Sequence, residues 1–240
     1  MDRLPFDFAK RTVTLLNSSL HIDSLNSALW NSQSKPKIPV DLNFHIFGDV
    51  AILVTCRIAM SERVVKLKDV DPRFHAIGNI GVLKFAGTTV WSSGEPMTKE
   101  LALMLRKKLL KMENLVGVSV VCATPGDRNS SLLDRLFPLL MAVPRISGLY
   151  LASTSPKLDE LVTKAIDAGT LRYLRFDCTL ISPGLLSVLV KWSSDYNFAM
   201  IRVYCPEGRP VSERKLIKAF QLLEAENKND PGLVIEKQKR

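Results

Sequence analysis

The sequence predicts an α/β fold in which short parallel strands alternate with helices, and three observations predict it. First, one spacing keeps returning from Ile80 onward: an apolar residue, two residues, a second apolar residue, one residue, a third. It reads Ile80, Leu83, Phe85; Leu115, Val118, Val120; Ile146, Leu149, Leu151; Leu171, Leu174, Phe176; and Phe198, Ile201, Val203, with Leu233 and Ile235 as a partial sixth copy. The last two positions of each copy alternate, which is the period of a strand showing one side chain in two to a core. Second, the text between copies has helical spacing. Third, the middle apolar positions lie 35, 31, 25, 27 and 32 residues apart. Such a unit holds one strand and one helix, and strands joined by helices run parallel through right-handed crossovers.

In chain order, residues 4 to about 35 read as two or three short helices. Pro5 falls in a first turn, where its missing N–H costs nothing, and Phe8, Thr12, Leu15 and Leu16 follow at helical spacing. Asp23 or Ser24 can cap a second helix carrying Leu25, Ala28 and Leu29 with Trp30 at its end, before Pro36 and Pro39 break the pattern. From Asp41 to Val70 the text turns to strand chemistry. Leu42, Phe44 and Ile46 alternate, Gly48-Asp49 offers a turn, and Val50 to Ile58 is a longer apolar run, so an antiparallel hairpin is expected. A third strand is expected over Val64 to Leu67, and a loop from Asp69 to Gly78.

The helices between the repeated strands are marked by their stripes: Leu101, Leu105, Leu109 and Met112; then Leu132, Leu133, Leu136, Phe137 and Leu140; then Leu158, Leu161, Val162, Ala165 and Ile166. Ser155-Pro156 opens the third and Gly169 closes it. Ser182-Pro183 opens the next in the same way, with Leu185, Leu186 and Leu189 to bury, and this shared start marks an internal repeat. A last helix is expected from Ser212 through Leu216, Ile217, Phe220 and Leu223. The resulting organisation is a helical segment over 1–38 and an α/β repeat domain over 39–240, with antiparallel strands at 39–70 and strand-helix repeats at 78–237. Two arrangements are open. Strands added in chain order make an irregular leucine-rich-repeat-like solenoid; a shuffled order with helices on both faces makes a doubly wound sheet. The spacing favours the first, although the Asn or Cys that closes a leucine-rich motif is replaced by Thr88, Ala123, Thr154, Thr179 and Pro206.

Composition narrows the function. The chain of 240 residues is 46% hydrophobic and carries a formal charge of +9, a balance that helps a chain approach nucleic acid, acidic proteins or an anionic membrane face. Cys56, Cys122, Cys178 and Cys205 stand far apart, with no Cys-x-x-Cys pair and no histidine at ligand spacing, so they read as reduced thiols and no metal or cofactor is implied. The start at Met1-Asp2-Arg3 has no secretory apolar core and no run of eighteen apolar residues follows, so a soluble cytoplasmic or nuclear protein outside any membrane is expected. No catalytic constellation is legible either. Gly78-Asn79-Ile80-Gly81 lacks the order of a phosphate-cradling loop, Thr124-Pro125-Gly126-Asp127 offers one carboxylate without a base beside it, and Asp159 and Glu160 suit the first turn of a helix. Three histidines, all before residue 76, leave little for proton transfer. A non-catalytic, binding protein is expected. Nucleic acid is the weaker partner, because aromatics make up only 7% and Tyr150, Tyr173 and Tyr204 are interleaved with core positions in the strands.

Leu4-Pro5 at the start, with Phe8, Leu16, Leu25 and Trp30, resembles a short F-box, whose pattern begins Leu-Pro, continues with spaced aliphatics and ends in tryptophan. The opening Met-Asp-x-x-Pro-Phe-x-Phe is similar to the divergent F-box-associated families expanded in nematodes, and many F-box proteins carry strand-helix repeats after the box. The resemblance implies a substrate receptor of a cullin-type ubiquitin ligase, in which Leu4, Pro5, Phe6 and Phe8 bind a Skp-type adaptor and the repeats bind the target. Without adaptor binding the chain would be a free-standing interaction scaffold, monomeric outside its complexes. The residues themselves point to where a target would sit. Tyr150 and Tyr204 each follow a core position and Tyr173 precedes one, so all three are expected on the strand face turned away from the core, together with Arg172, Arg175 and Arg202. Tyrosine and arginine are the residue types enriched at protein interfaces.

Overall fold

The alternation of Leu42, Phe44 and Ile46 sets the first strand. In the computed structural model, which describes residues 37–47, 51–59, 61, 63–72, 74–85, 94–122, 131–152, 155–176, 182–192, 198–206 and 233–238, β1 (Ile38–Phe47) buries Val40, Leu42, Phe44 and Ile46. Asp41, Asn43 and His45 alternate with them and are half-buried. β2 (Ala51–Ile58) runs antiparallel beside β1, pairing Val40 with Ile58 and Phe47 with Ala51, as the hairpin reading expected. The third strand is shorter than expected. β3 spans only Val64–Val65, and Leu67 opens a 3-10 turn (Leu67–Asp69) that buries it. A helix lysine explains the change, since Lys108 Nζ donates to the carbonyls of Leu67 at 3.1 Å and Val70 at 3.0 Å and holds the segment off the sheet edge.

β4 (His75–Phe85) starts inside the segment expected to be a loop, because β1 reaches back to Ile38 and offers parallel partners from His75 onward. β5 (Glu95–Pro96) shares the outer edge of β2 with β3. The remaining chain alternates: α1 (Lys99–Leu110), β6 (Val116–Cys122), α2 (Ser131–Leu140), β7 (Ile146–Leu151), α3 (Pro156–Asp167), β8 (Tyr173–Phe176), α4 (Pro183–Trp192), β9 (Met200–Pro206) and β10 (Leu233–Gln238). Thr98, Ser155 and Ser182 accept hydrogen bonds from the N–H groups of Leu101, Leu158 and Leu185, so both Ser-Pro starts act as caps. Gly169 follows α3 at φ 64°, a left-handed conformation that a side chain would strain.

Across the open, mixed sheet the strands lie in the order β10-β9-β8-β7-β6-β4-β1-β2-β3. From β1 through β10 neighbours are parallel, and β2, β3 and β5 form an antiparallel margin. The parallel strands march one way, β1 to β4 to β6 and on to β10, without the reversal that a doubly wound sheet needs. Right-handed crossovers that always step in one direction put their helices on one face. Burial agrees, since Val118, Val120, Leu149, Leu151, Leu174 and Phe176 join one core with Leu105 and Leu109 of α1, Leu136 of α2, Leu161 and Val162 of α3 and Leu185 and Leu189 of α4.

The first copy of the repeated spacing falls elsewhere than expected. Ile77, Ile80 and Val82 enter the core at the same spacing, whereas Leu83 and Phe85 are only half-buried. Their face carries its own apolar contacts, with Phe85 stacked on Phe47 at 5.4 Å and on His45 at 5.8 Å, and this second cluster disguises the register. The later copies hold for Val118 and Val120, Ile146, Leu149 and Leu151, Leu171, Leu174 and Phe176, and Ile201. Side chains at the mouths of β6, β7 and β8 fasten each of these units to the one before. Asn114 Nδ2 donates to Ile77 O at 2.7 Å, Arg145 to Glu113 O at 3.0 Å, and Thr170 Oγ1 to Ile146 O at 3.0 Å, each from the position just before an apolar repeat residue. Among the described residues no helix is long and apolar enough to cross a membrane.

Candidate binding groove

The positions that alternate with the core come together on the sheet's other face. Strand register brings them into two rows. One row runs Asp41, Asn79, Gly117, Gly148, Tyr173, Met200, and the second runs Asn43, Gly81, Ser119, Tyr150, Arg175, Arg202, each residue paired with the next across neighbouring strands. These twelve residues, with the backbone around Ile80, Val118, Leu149 and Leu174 between the rows, line one groove of about 500 Å3. It is an open trough on the strands, and parallel pairing dictates what shares it.

Glycine gives the trough its floor. A β-carbon at Gly81 would lie 2.3 Å from Asn43 Oδ1, and one at Gly117 would lie 2.7 Å from Asn79 Oδ1, so two asparagine side chains occupy the space that these glycines leave. Each amide thereby covers the glycine of the next strand. At Gly148 the nearest atoms to such a carbon are Cβ and the carbonyl oxygen of Tyr173, at 3.9 and 4.0 Å, and here the floor stays uncovered. Asn79 Nδ2 also donates to Asp41 Oδ1 at 2.8 Å and steadies the groove's single carboxylate. At the far end the Arg175 guanidinium lies over the Tyr150 ring, 4.7 Å from its centre, a cation–π contact that holds both side chains in place. Tyr173 beside them is 55% exposed, so its ring is offered to solvent.

Tyr150, Tyr173, Arg175 and Arg202 are thus brought together on one face. Arg172 is a correction. It stands just before β8, exposed and outside the groove, because neighbours in an extended chain point oppositely and Tyr173 takes the groove side. Its backbone instead links strands, its N–H donating to Ser147 O at 2.8 Å and its carbonyl accepting from Ala199 and Met200. The backbone of Tyr204 pairs with Glu236 of β10, and its side chain lies outside the described part. Leu4, Pro5, Phe6 and Phe8 lie outside the described residues. Sequence reasoning missed Asp41, Asn43, Asn79, the glycines and Met200. The one-in-two rule that found Tyr150 would have found Gly117, Ser119 and Gly148, each flanking a core residue.

Two groups with shifted pKa values, His45 and Cys56, lie outside the groove. His45 is hydrogen-bonded through Nε2 to Thr55 Oγ1 at 2.9 Å, and burial, reinforced by Arg57, holds its pKa below the ordinary histidine value. Burial pushes the Cys56 thiol up to about 12. Among the described residues no group of three or more His, Cys, Asp or Glu side chains could hold a metal ion. What the groove offers is one carboxylate, two guanidiniums, two amides, three hydroxyls and open backbone, a set suited to holding a polar ligand by many weak contacts.

Among the described residues, an open α/β sheet with helices on one face and a polar trough on the other is the class that fold and site define. No family model matches the chain, and no curated protein or solved structure is significantly similar to it.

Proposed function

We propose that the groove binds an acidic segment of a partner protein, and that the chain is the substrate receptor of a cullin-type ubiquitin ligase. The observation that carries target binding is the convergence of Tyr150, Tyr173, Arg175 and Arg202 from three successive strands onto one trough, which no described helix covers. No single unit could assemble that surface, whereas strands added in chain order, in the manner of a leucine-rich-repeat-like solenoid, build it as a matter of course. Arginine and tyrosine supply charge, bidentate hydrogen bonding and rigid contact area, which is what interface hot spots use. The ligase half of the reading is supported by the F-box-like Leu4-Pro5 start and its apolar neighbours Phe6 and Phe8.

A pull-down with a Skp-type adaptor tests that half. The wild-type chain is expected to retain the adaptor, and Leu4→Ala with Pro5→Ala to lose it; equal retention by both, or by neither, removes the ligase reading and leaves an interaction scaffold. Arg175→Glu tests the groove. Partner capture is expected to fall while the adaptor is still bound, and capture that survives the reversal places recognition elsewhere on the chain.

A further inference from the structure

The groove is electrically polarised along its length. At the β1 end stands the carboxylate of Asp41, steadied by Asn79. At the β8 and β9 end stand Arg175 and Arg202, and between the poles the row is stripped to Gly117 and Gly148. Strands lie about 4.8 Å apart, so the four or five steps from β1 to β8 or β9 separate the poles by roughly 19–24 Å. An extended chain advances about 3.3 Å per residue, so a bound segment covers that distance in roughly six or seven residues. A compact anion reaches only one pole. A segment acidic throughout sets one of its carboxylates against Asp41, where like charges repel.

We propose, resting on the peptide-binding reading above, that the groove takes an extended peptide lying across the strands in one orientation. A basic side chain of the peptide sits at Asp41, carboxylates sit at Arg175 and Arg202, and a side chain between them, three strands from Asp41 and one or two from the arginines, descends over Gly148. That last position is the one place on the floor where the absent β-carbon is not already replaced by a neighbouring amide. Charge polarity therefore sets the direction, and the uncovered glycine sets the register.

The test is selection of random peptides of about twelve residues, nearly twice the span of the groove, on the full chain. Enriched sequences are expected to pair a Lys or Arg with an Asp or Glu roughly six or seven residues away. For a synthetic peptide so selected, Asp41→Asn should weaken binding about 5- to 10-fold in fluorescence anisotropy, the effect of losing one charge-assisted contact. It should also erase the peptide's preference for Lys over Gln at the basic position. Gly148→Leu should block binding without lowering the melting temperature, since the first added atom meets Tyr173 at ordinary contact distance. Asp41→Asn keeps the shape of the site and so serves even if the leucine disturbs folding. Peptides acidic throughout, bound equally by the Asp41→Asn chain, would overturn the polarity and leave the acidic-segment reading standing. Selected peptides indifferent to both Arg175→Glu and Arg202→Glu would overturn both, as would no enrichment while an anionic oligonucleotide or oligosaccharide bound with loss in those variants.

Discussion

Phe176 is 2% exposed, aligned with Leu151 on one side and with Val203 on the other, so its ring closes the core between three strands. Truncation to alanine should cost about 3–5 kcal/mol, which is a large part of the roughly 5–15 kcal/mol that holds a domain folded. Urea denaturation would read this as a lower midpoint at unchanged slope, and an unchanged midpoint would mean that the ring is not in the core. His45 should make stability depend on pH. Its folded pKa is lowered, so below the ordinary value of 6.5 the unfolded chain takes up the proton first. The stability it contributes is complete above that value and declines as the pH falls toward the folded pKa; His45→Gln should flatten that part of the melting curve measured against pH. Cys56, with its thiol raised to about 12 by burial, should escape alkylation at mildly alkaline pH until the chain is unfolded, which peptide mass spectrometry would detect.

The elements depend on a few polar side chains that composition alone would not single out. Ser155→Ala removes the acceptor for Leu158 N–H and should cost about 1 kcal/mol. Thr170→Val leaves the carbonyl of Ile146 without that bond between strands and should cost about 1–3 kcal/mol; both are read by thermal melts of the full chain. At this scale the sequence was legible in proportion to how one-sided each strand is. β6, β7 and β8 pair an apolar core face with one that is mostly Gly, Ser, Tyr and Arg, Val121 at the end of β6 aside, so Val118, Leu149 and Leu174 announced themselves. β4 is apolar on both faces near its end, where Leu83 and Phe85 accompany Phe47 and His45, and a one-in-two count cannot choose between Val82 and Leu83. The groove was half legible for a related reason. Tyr150 and Arg175 stand out as residue types, but a glycine carries no periodic signal. Asn79 acquires its place over Gly117 only through pairing between strands 38 residues apart.

For the whole molecule, the formal charge of +9 and the arginine end of the groove act together. Raising the ionic strength from about 0.1 M to about 1 M shortens the Debye length from about 10 Å to about 3 Å, so affinity for an acidic segment should fall over that range, mainly through slower association in stopped-flow measurements. The marching strand order has a consequence for how the protein is made. From β6 onward each strand pairs next with the following strand of the chain, and Asn114 and Thr170 each tie back to the preceding strand. Contacts of that kind are short-ranged along the sequence, so ordering one unit asks nothing of a unit much further on. The sheet can grow edge by edge as the chain leaves the ribosome. Each newly finished strand is itself the template on which its successor docks, and the part of the trough that runs from Asp41 to Gly148, four of its six strands, can be in place before the arginines that finish it join the sheet.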